Sequence, residues 1–209
     1  MDVWTLISFL GTAMLLTLIP GPDNMFVLAQ SIVQGKRAGF ATTLGLCTGL
    51  IVHITAATLG ISVFIYQSAL AFNLVKYAGA AYLLYLAWRS FRVQSGATWS
   101  GDHRVPHYTL TALYRRGILM NVLNPKVSLF FLALLPPFIH REAGHVPVQM
   151  LVLGTIFLLQ ALLLFGLISL FADRVRGLML RSPLISHHMN RIQGVIFAVI
   201  GLKVALSSR

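Results

Sequence analysis

The chain has 209 residues, of which 57% are hydrophobic and 10% charged, with a mean hydropathy of +0.80 and a formal net charge of +11 at pH 7. A soluble domain of this size carries about a quarter charged residues, so the composition excludes an ordinary water-soluble domain and predicts an all-α membrane protein. The positive charge does not argue for nucleic acid as a partner, because the basic residues sit in connectors between apolar stretches, as they do on the cytoplasmic side of membrane proteins.

The chain opens on MDVWTLISFLGTAML, with an acid at Asp2, no basic stretch ahead of the apolar run and no small-residue cleavage site. It reads as a retained first span rather than a removable signal. The first apolar segment covers about residues 3–33, longer than the roughly 20 residues one crossing needs. It is interrupted at LIPGPDN and stopped by Gly35, with Lys36 and Arg37 beyond, a glycine-and-cation helix end. The second segment covers about residues 40–64 and contains Cys47, the one cysteine, so neither an internal disulfide nor a CxxC pair exists. The third covers about residues 70–88. A connector rich in Ser, Gly and His follows, with no phosphate-binding glycine loop, so uphill work would draw on an ion gradient or a partner. The fourth, fifth and sixth segments cover about residues 117–139, 148–171 and 192–206. The chain reads as a single integral membrane domain: a first half at about 1–92, a connector at about 93–116 and a second half at about 117–209.

Basic residues set the expected orientation. The connectors after the first, third and fifth segments hold eleven: Lys36, Arg37, Arg89, Arg92, Arg104, Arg115, Arg116, Arg174, Arg176, Arg181 and Arg191. The other side holds Lys76, Arg141, Lys203 and Arg209, while Lys126 falls inside a segment. Positive charge collects on the cytoplasmic side, so both termini are predicted to be non-cytoplasmic.

Three segments, a connector and three more suggest two inverted three-helix repeats, because an odd number of spans turns the second half upside down. The first segment breaks at IPGPDNMF and the fourth at NVLNPKVSLFF; aligning Pro22 with Pro125 sets Gly21 against Asn124 and Asp23 against Lys126. The third and sixth segments match loosely, with KYAGAAYLLYL beside RIQGVIFAVIG and Gly79 beside Gly194. Proline has no N–H, so Pro20, Pro22 and Pro125 release the carbonyls of Leu16, Leu18 and Asn121 from helical bonding. Broken backbone is tolerated at membrane depth only against protein or a watery cavity. Asp23, Asn24, Asn121, Asn124 and Lys126 gather at the same breaks, and ionisable residues inside spans usually mark a pathway. A half-helix starting at either break also aims its positive dipole end there, where an anionic group can be held.

On the second segment Gly45, Gly49 and His53 recur every four residues and share one helix face. The glycines read as a close helix contact; His53 reads either as a hydrogen-bonded structural group or as a proton carrier. Gln160, alone in the fifth segment, is either interhelical glue or cavity lining. The other histidines, His103, His107, His140, His145, His187 and His188, sit in connectors. Tyr82, Tyr85, Trp88 and Trp99 read as interfacial anchors.

These residues carry a family resemblance. PGPDNMFVLAQSIVQGKRAGFATTLGLCTGLIVH, KYAGAAYLLYLAWRSFR and NVLNPKVSLFFLALLPPFI, in that order over nearly the whole chain, resemble the LysE/RhtB family of bacterial amino-acid exporters. Ala87 stands where many relatives have glycine, and the connector at about residues 94–111 matches no substrate signature. The resemblance implies a multi-pass inner-membrane carrier that exports an amino acid or close derivative on the proton gradient, without a cofactor. It also implies that Pro20-Gly21-Pro22 and Asn124-Pro125-Lys126 are functional. Asp23 would face the substrate ammonium or carry the proton, and Lys126 would face the carboxylate. The expected partners are the amino acid, protons and membrane lipid; a homo-oligomer is compatible with this reading. A metal-ion carrier is the alternative, but it wants ligands clustered within spans, and only Asp23, His53 and Cys47 qualify. An enzyme is not expected, since aspartyl chemistry needs a second intramembrane carboxylate.

Overall fold

In hydrocarbon a backbone must satisfy its own polar groups, and a helix does so within one segment. The computed structural model describes residues 1–19, 21–61, 69–92, 107–140, 143–172, 174, 191, 194–195, 197–199, 201–202 and 204–206, and no strand occurs among them. Pro20, the connector residues 93–106 with Trp99 and His103, and His187 and His188 lie outside the described residues.

Helix α1 spans Val3–Leu18, and its free N–H groups are capped by Asp2, whose carboxylate accepts from the Thr5 N–H at 2.8 Å. Helix α2 (Pro22–Gln34) restarts the chain with proline at its first position, where the missing N–H costs nothing. Together α1 and α2 form a pair bent by 58° and apolar enough to be one broken span. Gly35 alone links α2 to α3 (Lys36–Ala56), at φ 83, a conformation that costs glycine no steric strain. Gly35 thus ends α2 as expected, and the Lys36 and Arg37 that follow it form the first turn of α3. A π-helical turn at Ala57–Ile61 continues α3, and helix α4 spans Ala69–Arg92.

Helix α5 spans Leu110–Val122, seven residues ahead of the expected start at 117. Thr109 caps it by accepting from the Ala112 N–H at 3.2 Å, and the Arg116 guanidinium lies 3.7 Å from the centre of the Tyr108 ring. Arg115 and Arg116 are thus helical residues whose long stems let the charge reach outward. Helix α6 (Pro125–Leu129) runs into a second π-helical turn at Phe130–Leu134 and a short 3-10 turn at Pro136–Phe138. This pair is bent by 55°. Helix α7 spans Val146–Leu170, and a shorter apolar helix α8 covers Phe197–Leu206. By length and composition α3 with its turn and α7 can cross a membrane, as can each bent pair taken as one span.

Helix α3 sits at the centre, and glycine lets its neighbours approach. A methyl group on Gly45 would collide with the Tyr114 carbonyl, and one on Gly117 would stand 2.7 Å from the Thr42 carbonyl. Gly39 faces the Ser31 and Ser169 hydroxyls, which bond each other at 3.2 Å. Where lipid is as apolar as leucine, such close packing holds helices together. A Phe cluster closes one end of the core: Phe9 meets Phe138 edge-on at 5.3 Å, and Phe130 lies 4.4 Å from Phe157.

Candidate functional site

The two breaks face each other and exchange polar groups. Asp23, in the first turn of α2 and 6% exposed, accepts from Asn121 Nδ2 at 3.1 Å and from Asn124 Nδ2 at 2.9 Å. Both donors belong to the second break. In the opposite sense, Lys126 Nζ donates to the Ile19 carbonyl of the first break at 3.1 Å. Neither charge takes the other as its hydrogen-bond partner: the carboxylate is held by amides and the ammonium by a carbonyl. The Phe197 ring of α8 lies 5.9 Å from Nζ.

Carbonyls at the breaks are satisfied by side chains. Asn24 Nδ2 donates to the Thr17 carbonyl at 2.7 Å. The Asn121 carbonyl, which Pro125 deprives of its helical partner, accepts instead from the Asn124 N–H at 3.0 Å and from His53 Nε2 at 3.1 Å. A carbonyl only accepts, so His53 carries hydrogen on Nε2 in this contact. Its ring lies flat against Phe131, with centroids 5.9 Å apart and planes at 7°. Asn124 caps α6 by accepting from the Lys126 N–H at 3.0 Å. Helix α6 is 5 residues long and continues directly as the π-helical turn.

Gly45 and Gly49 lie at the crossing of α3 and α5. A methyl on Gly49 would stand 2.8 Å from Asn121 Cβ and 2.9 Å from Asn121 Oδ1, so Gly49 sets the position of an Asp23 donor. Gly79 is buried on α4, and a methyl on Gly194 would stand 2.6 Å from Phe91 of the same helix α4. Gln160 ties α7 to α1, donating from Nε2 to Thr17 Oγ1 at 2.9 Å and to the Phe157 carbonyl at 3.1 Å.

A small cavity of about 40 Å³ lies at the breaks. Gly21, Asp23, Asn24, Asn121, Asn124 and Lys126 form its polar end, and His53 and Gln160 stand outside it. Sequence reasoning missed Thr17, Leu50, Leu83, Phe157, Ala161 and Phe165, which also line it. The only signal for the last three is their spacing of four, and that is lost in a helix apolar on every face. Among the described residues no three His, Cys, Asp or Glu side chains group as a metal would require.

The model of the LysE type translocator family matches residues 14–208 of this chain. The chain belongs to that family. It is 35% identical over 207 residues to an uncharacterized membrane protein of Vibrio cholerae, covering 98% of both chains. It is 32% identical to the uncharacterized membrane protein YrhP of Bacillus subtilis, covering 97% of this chain and 99% of the other. It is 30% identical to the homoserine/homoserine lactone efflux protein of Salmonella typhimurium, over 95% of this chain and 94% of that one. No solved structure matches. In this member of the LysE type translocator family, a cavity with one polar end thus lies between two broken helices.

Proposed function

We propose that this translocator is a secondary-active exporter of a small amino acid or amino-acid derivative across the bacterial inner membrane, driven by the proton gradient. The observation that carries this reading is the crossed pair at the cavity: ionisable groups of opposite sign, one from each break, each hydrogen-bonded to neutral groups of the other break. An amino acid is a zwitterion. Its carboxylate suits the Lys126 ammonium, and its ammonium suits Asp23, which also serves as the carrier of the coupling proton. The name of the Salmonella relative, an efflux protein, supports the direction of transport.

The same reading takes six spans as two inverted three-helix repeats, with both termini on the non-cytoplasmic side. It is supported by the matched bends of 58° and 55° at matched prolines. No cofactor enters the cycle, and the bilayer lipid is its solvent.

Flux from proteoliposomes tests the proposal. Asp23→Asn and Lys126→Met should lose transport while the protein still purifies as a folded species, and collapsing the pH gradient should stop uphill movement while leaving exchange. Full activity in both variants would overturn the assignment of the pair.

A further inference from the structure

Resting on that exporter reading, we infer that the cavity selects amino acids with an uncharged, apolar side chain, and that Ala161 limits how large that side chain is. Away from the polar end the wall is hydrocarbon apart from Thr17, whose hydroxyl already accepts from Gln160 Nε2 at 2.9 Å: Leu50 of α3, Leu83 of α4, Leu134 of the second π-helical turn, and Phe157 and Phe165 of α7. Among the described residues that line the space, Asp23 and Lys126 are the charged groups. The α-ammonium and α-carboxylate of a substrate therefore occupy the charges available, and its side chain is left to the hydrocarbon. A second ammonium, as in lysine, lies unpaired against Phe and Leu, and burying an unpaired charge costs far more than its methylenes gain. A hydroxyl is disfavoured for the same reason, on a smaller scale.

Phe157, Ala161 and Phe165 follow one another at a spacing of four, so they stack along one face of α7. All are buried, at 6%, 1% and 4% exposure. Ala161 is therefore a notch between two phenyl rings, and the notch opens on the same cavity as Asp23 and Lys126. A side chain entering the notch meets methyl and ring carbon.

The test is exchange in proteoliposomes, with alanine, valine, threonine, leucine, phenylalanine and lysine each labelled in turn. The wild type should exchange leucine and valine at least about tenfold faster than lysine, and valine faster than its isostere threonine. Ala161→Phe should shift the preference towards alanine, and Ala161→Gly should widen it towards phenylalanine; either variant decides if the other does not fold. Lysine exchanging as fast as leucine, threonine outrunning valine, or an unchanged order in a folded Ala161 variant overturns the inference and leaves the exporter reading standing. If the wild type exchanges none of the six, the inference falls, and labelled homoserine then tests the exporter reading by itself.

Discussion

Replacing Gly49 by alanine should damage the site without touching a charged residue. The added methyl would stand 2.8 Å from Asn121 Cβ, 2.9 Å from its Oδ1 and 3.0 Å from the Ile118 carbonyl. Carbon atoms settle at about 3.5–4.0 Å, so α3 and α5 must part, or Asn121 must swing, by about 0.7 Å. The bond from Asn121 Nδ2 to Asp23 is already 3.1 Å, near the long end of the range of about 2.7–3.2 Å for such bonds. Overpacking costs about 1–3 kcal/mol, and losing a hydrogen bond to a charged group costs about 1.5–3 kcal/mol. Together these come to about 2.5–6 kcal/mol, which for a chain of this length lowers Tm by roughly 5–25 °C. Thermal unfolding in detergent and flux in proteoliposomes should both report it, with flux falling further than the unfolded fraction accounts for. Gly166→Ala is the control, since its methyl would meet Phe40 Cε1 at 3.5 Å, an ordinary contact. A Gly49→Ala protein with wild-type Tm and wild-type flux would refute the claim that this glycine positions Asn121.

Other outcomes follow from single contacts. His53→Gln should keep fold and flux because an amide N–H can replace Nε2, whereas His53→Phe strands the Asn121 carbonyl and should cost about 1–3 kcal/mol; an altered pH profile of flux in His53→Gln would instead make the imidazole a proton carrier. Gln149 donates to the carbonyls of His140 at 2.8 Å and Gly144 at 2.7 Å and accepts from the His140 N–H at 3.0 Å. Gln149→Leu should therefore speed hydrogen exchange in residues 139–145, with little change in α3. Cys47, 6% exposed, should resist maleimide until the protein is denatured; rapid labelling of the folded protein would contradict the packing of α3 against its neighbours.

The broken helices were legible because proline acts through its own chemistry, and Pro22 and Pro125 both stand at the first position of the helix that resumes. What the breaks do for each other was not legible. Asn121 and Asn124 reach Asp23 across 98 and 101 residues of chain, and no local rule reports such a pairing. His53 shows the same limit. Its partner, the Asn121 carbonyl, lies 68 residues away. The start of α5 was misplaced because Arg115 and Arg116 resemble loop residues, while its cap, Thr109, is an inconspicuous signal. The apolar wall was hidden for a third reason: periodicity marks a face only against a contrasting one, and α7 has no polar side to contrast.

The crossed hydrogen bonds also bear on how the protein is made. When the ribosome has completed only the first 92 residues, Asp23 is in place but neither Asn121 nor Asn124 yet exists. An ionised carboxylate within a membrane-spanning segment is costly to insert, and the amides that offset this cost belong to the second half. Until that half is made the Ile19 carbonyl also lacks its lysine. The two breaks thus satisfy each other only once the whole chain is made: a chain that stops after the first half leaves Asp23 without either of its amide donors.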